Sequence, residues 1–334
     1  MKNKKVFLLV ALLCSGIVFI NAHSQSVSAA TVTSVNSSSK SVNNADNQSD
    51  GSNASSTTPS GQKDIQKQEQ PNQENKDVKT PTSHPQSKNI SNQWVTRQGH
   101  NYYLINNKPV KGLRNINKSW YLFDKQGVML TGVRKIPKKS FYGYFAQDGK
   151  RRFNNTNSGK SFYWINKSGS IGGIKNNAKV ICQRPQMPTG CEITAVTMMI
   201  NFAGKKVTKD QAAKVMPRSY DPNKGFIGSP YREFPLGFWV APNGVKPVVS
   251  HYLGTATNMT NCSLNAIKRK LIRSHLVVAW VGWFDGFSNH AITLTGYHGN
   301  TLYYNDPWTG TRRSMSIATF KHHWAMDGHR ALSY

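Results

Sequence analysis

Acidic side chains are scarce in this chain. Against 43 Lys and Arg stand only 15 Asp and Glu over 334 residues, a formal net charge of +28 at pH 7. That imbalance points to an anionic partner: an acidic glycan, a wall-linked polyphosphate or a lipid headgroup. Long apolar runs are also missing, with one exception. Val6 to Ile20 is a mostly apolar run of 15 residues behind Lys2, Lys4 and Lys5, short of the roughly 20 that a spanning helix needs. A charged start, a short apolar stretch and then small polar residues make the layout of a secretory signal peptide, expected over residues 1–30. Ala22, Ala29 and Ala30 each offer a small residue at the cut; an uncleaved N-terminal anchor is the alternative. The expected location is extracellular and wall-associated, which removes nucleic acid from the partners and leaves no stable membrane insertion after cleavage.

Cysteine is sparse, four in all, which excludes a disulfide-built scaffold. Cys14 lies in the apolar run, leaving Cys182, Cys191 and Cys262. An odd number outside the cell implies one free thiol, with a pairing of Cys182 and Cys262 left open. His322, His323 and His329 have no Cys or carboxylate at ligand spacing, so neither metal nor cofactor is expected. Aromatics are missing from residues 31–92, where Ser, Asn, Gln, Thr, Lys and Pro dominate and six Lys balance six Asp and Glu. Such a stretch cannot bury enough apolar surface to offset the entropy of ordering, and reads as a disordered linker.

At Trp94 the composition changes. YYLINNKP from Tyr102, WYLFDKQG from Trp120, YGYFAQDG from Tyr142 and FYWINKSG from Phe162 start 18, 22 and 20 residues apart. Each is an aromatic strand, a turn of Asn, Asp, Gly or Lys, and a second short strand, which predicts hairpins stacked into an all-β repeat domain over residues 93–176. Residues 93 to 180 hold 17 basic and 2 acidic residues, a net +15. The pattern resembles the cell-wall-binding repeats of Gram-positive surface proteins, the choline-binding and glucan-binding kind. Choline-binding repeats carry a Gly-Trp pair for an aromatic cage; here those places read Gly112-Leu113 and Gly132-Val133. The resemblance therefore implies a polysaccharide or teichoic-acid ligand in preference to choline. The alternative is that the aromatics only hold the hairpins together.

Residues 177–334 turn mixed α and β. Ile193, Val196, Ile200 and Ala203 recur at helical spacing and Gly204 ends the run. Thr189-Gly190-Cys191-Glu192 has the form of a capping box, with Thr189 as expected N-cap and Cys191 in the first turn. A helix N-terminus favours thiolate over thiol, while Glu192 opposes it, so a cationic partner is required. Thr208 to Gln211 predicts a second capped helix, and Arg218 to about Gly244 reads as a Gly- and Pro-rich loop. Ser263 to Arg273 reads as a basic amphipathic helix, Leu276 to Trp283 as a buried strand, and HAITLTGY from His290 and TLYYND to Asp306 as a hairpin. A helix near 317–324 and a strand near 330–334 complete the segment.

QRPQMPTGCE, FIGSPY, LVVAWV, NHAITLTGY and YYNDPWTG, in that order, resemble the papain-like cysteine peptidases of the C-39-like type, relatives of the bacteriocin-leader-processing peptidases. The resemblance implies an α+β papain-like fold, a Cys191 nucleophile, a His290 base, Asp306 orienting that base, and Gln183 donating to the oxyanion. Gln186 competes with Gln183 for the last role, and Asp306 before Pro307 is also a common turn former. The expected function is a secreted, wall-associated cysteine peptidase or amidase acting on a peptide or amide. The alternatives are a catalytically silent wall-binding or adhesin protein, and a murein hydrolase of another papain-like type.

Overall fold

The computed structural model describes residues 92–334. The expected signal segment and all but the last residue of the linker lie outside the described residues. Among those described, no helix is long and apolar enough to cross a membrane.

The aromatic repeats form short antiparallel hairpins. β1 (Gln93–Arg97), β2 (His100–Ile105) and β3 (Lys108–Pro109) make one three-stranded sheet. β4 (Gly112–Ile116), β5 (Ser119–Phe123) and β6 (Met129–Leu130) make the next, and β7 (Gly132–Lys135) pairs with β8 (Tyr142–Phe145). The turns explain the spacing of the motifs. Gln98-Gly99, Asn106-Asn107 and Asn117-Lys118 each place two successive residues at positive φ, the backbone that tight two-residue hairpins demand and that Asn and Gly adopt most easily. Successive hairpins meet through their rings: Trp94 lies 4.9 Å from Tyr121 and 5.9 Å from Phe123 of the following sheet. Tyr144 stacks on Tyr163 at 4.7 Å.

The last hairpin is built differently. β9 (Thr156–Ser158), β10 (Ser161–Ile165) and β11 (Ile171–Asn176) belong to a nine-stranded sheet that continues into the C-terminal segment. There β12 (Thr257–Asn258), β13 (Val277–Val281), β14 (His290–His298), β15 (Thr301–Asp306), β16 (Thr311–Ser316) and β17 (Ala331–Ser333) join it. Strand pairing thus crosses position 176, where composition changes. β14 makes the connection. Its first half pairs with β13, from Val281 opposite His290 to Val277 opposite Leu294. Its last residues pair with β11, where Ile174 opposes Tyr297 and Lys175 opposes Gly296. Its other edge pairs with β15, whose register to β14 shifts between Leu294 and Gly296, a bulge of the kind that bends a strand. Gly296 is required there, because a Cβ would collide with the Ile174 carbonyl.

Helices cover both faces of the sheet. α1 (Cys191–Phe202), α2 (Lys209–Lys214) and α3 (Pro242–Leu253) lie on one side. α4 (Leu264–Leu271) and α5 (Ile317–Met326) lie on the other. Val278 and Trp280 of β13 enter the first core, and Val277, Ala279 and Val281 enter the second. That double burial is why LVVAWV reads as an unbroken apolar run. The first ten residues of α1 are all buried, so it is the central helix of its core. Thr208 forms its expected capping box with Gln211. The predicted loop to Gly244 instead ends in α3, whose first residue is Pro242; proline at that position needs no N–H and carries the right φ.

Candidate active site

The segment entering α1 is a tight loop. Met187 N–H donates to the Gln183 carbonyl at 2.9 Å and Gly190 N–H to the Met187 carbonyl at 3.1 Å. A Cβ at Gly190 would lie 2.7 Å from that of Met187. The helix therefore caps on Gly190, without a side-chain cap. This corrects the capping box expected from Thr189. The Thr189 hydroxyl donates instead to the Arg232 carbonyl at 2.8 Å and the Ser229 carbonyl at 3.3 Å. It ties the helix entrance to the long 218–241 segment, whose Phe234, Leu236 and Phe238 are exposed.

Cys191 is the first residue of α1 and is buried. The start of α1 is held against β14 by the Thr293 hydroxyl, which donates to the Ala195 carbonyl at 2.9 Å, and Cys191 shares a core cluster with Ala291, the residue after His290. The thiol donates to Oε2 of Glu192 at 3.2 Å. Burial pushes the thiol well above its ordinary value, and the charge and hydrogen bond of Glu192 push the same way; the Ala291 and Glu192 backbone N–H groups oppose them. The thiolate-favouring environment expected for Cys191 is thus corrected: the resting sulfur is held as a thiol, because burial and an adjacent carboxylate outweigh the helix terminus.

His290 is buried at the first position of β14, and its Nε2 lies 3.0 Å from Oδ1 of Asp306 at the end of β15. The imidazole keeps Nδ1 for another partner. Phe287 stacks on the ring at 5.4 Å and Phe284 at 6.4 Å, both from the loop joining β13 to β14. Asp306 is fully buried yet well supplied with donors. Oδ1 also accepts from the Trp308 N–H at 2.9 Å; Oδ2 accepts from the Thr309 hydroxyl at 2.9 Å and from Nη1 of Arg313 at 3.1 Å. Burial alone would raise this carboxyl, but His290, the Thr309 hydroxyl and the Trp308 N–H outweigh it and hold it below the ordinary carboxylate range. Asp306 is a turn former and a histidine partner at once.

Gln183 sits at the base of the site but not as a free donor. Its amide nitrogen donates to the Pro188 carbonyl at 2.9 Å and the Met187 carbonyl at 3.2 Å. Its backbone N–H donates to the Pro307 carbonyl at 2.8 Å, joining the nucleophile loop to the turn after Asp306. Its Oε1 is buried without a hydrogen-bond partner. The amide closes the loop that delivers Cys191, and in this arrangement cannot also donate to an oxyanion. Gln186 accepts from Lys209 Nζ at 2.9 Å. The Cys191 N–H, at the first position of α1, has no intrahelical acceptor.

Two residues escaped sequence reasoning. Arg313 bridges Asp306 and Asp285; it lies on β16, whose polar TRRSMS pattern carries no strand signal. Val240 donates its N–H to Oε1 of Glu192 at 3.1 Å, from within the supposed loop. Cys182, Cys191 and Cys262 are all free thiols. Among the described residues, no three His, Cys, Asp or Glu side chains gather as a metal site.

Comparison with known proteins gives the same part of the chain a family likeness. Residues 175–332 match the model of the Peptidase_C39 like family. The Bacillus subtilis protein YvpB is 27% identical over 178 residues, 44% of this chain and 70% of YvpB. A crystal structure from Bacillus anthracis, assigned as a C39-like peptidase, is 23% identical, with a TM-score of 0.45, over 47% of this chain and 94% of that one. Choline binding protein F from Streptococcus pneumoniae is 21% identical over 24% of this chain and 28% of its own, with a TM-score of 0.22.

Proposed function

We propose that this chain is a secreted cysteine hydrolase, a peptidase or amidase, held at the bacterial cell wall by its basic aromatic hairpins. The observation that carries the reading is the meeting of three groups at one end of β14. Cys191 and Ala291 share one core cluster where α1 packs on β14, tied there by the Thr293 hydroxyl and the Ala195 carbonyl, and the residue before Ala291, His290, is bonded to Asp306. The match of residues 175–332 to a peptidase family supports the same chemistry.

In this mechanism the Cys191 thiol passes its proton to His290, and the sulfur attacks a carbonyl carbon. Asp306 fixes the imidazole orientation and stabilises the imidazolium. His290 then gives the proton to the leaving amine, and water, deprotonated by the same imidazole, hydrolyses the thioester. The Cys191 backbone N–H at the start of α1 stabilises the tetrahedral oxyanion. Wall attachment rests on the net +15 of residues 93 to 180 and on the aromatic rings that successive hairpins bring together. The proposed ligand is a polysaccharide or teichoic acid.

A second reading, a catalytically silent wall-binding protein, has one observation in its favour: the Gln183 amide is committed to the loop. The two separate on purified Gram-positive walls. The full chain should release peptide or amine products identifiable by mass spectrometry, and should pellet with the walls in a salt-sensitive way. Cys191→Ala and His290→Ala should each abolish release and leave pelleting unchanged. Equal release by Cys191→Ala would sink the enzymatic reading.

A further inference from the structure

Glu192 is fully buried next to the nucleophile, and nothing in the mechanism above uses it. Its Oε2 accepts from the Cys191 thiol at 3.2 Å, and its Oε1 accepts from the Val240 N–H at 3.1 Å. The titratable groups around it are few. Cys191 shares its helix, His290 opens β14, the strand that α1 packs on, and Asp327 follows α5. Asp327 is already paired with Arg330 at 2.6 Å and bonded by the Asn289 amide. From the remaining side, Val240 presents only a backbone N–H, its carbonyl taken by the Trp280 indole at 2.9 Å. Among the described residues no Lys, Arg or His forms an ion pair with Glu192. A carboxylate in such a place has no countercharge and gains by taking up a proton.

We propose that Glu192 is a further catalytic residue: protonated, it donates its O–H to the Cys191 thiolate and stabilises the thiolate–imidazolium pair with His290; ionised, it holds the sulfur as an unreactive thiol. The proposal rests on the reading of Cys191 as nucleophile. The proton balance is simple. In the ionised state the Cys191–Glu192 pair carries one proton, on sulfur. Uptake of one proton from solvent by the carboxylate removes the acceptor of the S–H bond. The thiol proton then passes to His290, breaking S–H and forming N–H, while the new carboxyl O–H turns to the thiolate. His290 later delivers its proton to the leaving amine, and Glu192 keeps its own throughout. Burial raises the Glu192 carboxyl to about 7, so the protonated form is present below neutrality and lost above it.

The test is iodoacetamide labelling of Cys191 in the full chain between pH 6 and pH 8, followed by mass mapping. Wild type should label about tenfold more slowly at pH 8 than at pH 6, following the protonated fraction of a group titrating near 7. Glu192→Gln keeps an acceptor for the Val240 N–H and supplies a permanent N–H donor to sulfur. It should show no such fall, and at pH 8 should label about tenfold faster than wild type. Rates that rise with pH in parallel for both proteins would overturn the proposal. If Glu192→Gln fails to fold, carboxyl-13C glutamate in the wild-type chain, which has four glutamates, gives the answer. One resonance should titrate near 7 and move on Cys191→Ala; four resonances in the ordinary carboxylate range would overturn it. Loss of the nucleophile reading looks different, since Cys191→Ala would then retain hydrolysis whatever Glu192 does.

Discussion

His290 gives Nε2, and not Nδ1, to Asp306, at 3.0 Å and with both side chains buried. The pair spans the ends of two adjacent antiparallel strands, whose ladder begins at Thr293 opposite Asn305. In the proposed mechanism the remaining nitrogen, Nδ1, takes the proton of the Cys191 thiol.

Asp306→Asn should lower kcat by about 10²-fold or more, because the amide no longer fixes the imidazole or stabilises its charge. Stability should respond to pH as well. The folded carboxyl lies below its unfolded value, so its contribution is fully present above the ordinary carboxylate range and is lost as pH falls through the folded value. Urea unfolding of wild type and Asp306→Asn should therefore differ most at neutral pH, and the difference should shrink below about pH 4. A gap independent of pH would contradict the ionised assignment.

Gln183→Ala removes the two amide bonds that close the nucleophile loop; the Pro188 carbonyl loses its partner, while the Met187 carbonyl keeps the Gly190 N–H. It should cost about 1–3 kcal/mol of stability, seen as a lower thermal midpoint. A pure oxyanion donor would behave otherwise, with kcat falling by about 10²–10³ and the midpoint unchanged. Measuring both quantities on one variant decides between them.

Gly296→Ala places a Cβ against the Ile174 carbonyl where β11 meets β14. Backbone must move to admit it, at a cost of about 1–3 kcal/mol. Hydrogen exchange should quicken first at Ile174 and Lys175 and at the last residues of β14, leaving the β13 side of the strand protected. Uniform protection along β14 would mean that the hairpin and the sheet are not coupled at this glycine.

The hairpins were legible because their cause is local. Asn106-Asn107 and Asn117-Lys118 specify tight turns by their own backbone preferences, and the rings recur on either side. α1 was legible from its apolar spacing, and β13 from an apolar run. Its start was misplaced by one residue, since Thr189 fits a capping box in sequence but finds better acceptors in Arg232 and Ser229. α3 was hidden by its prolines, and β16 by its polarity although it is the second arm of a hairpin with β15.

Sequence alone determined which residue types stand ready for chemistry: a cysteine opening a helix, a histidine opening a strand, and an aspartate closing the next one. Those are facts of local order and of side-chain type. Tertiary structure decided what state they are in. The carboxylate of Glu192 turns inward because Val240 offers an N–H there, and the thiol turns to that carboxylate. Gln183 spends its donors on its own loop because two carbonyls converge on it. Desolvation and hydrogen-bond partners arise only when distant segments close over a site, and these set protonation and donor availability.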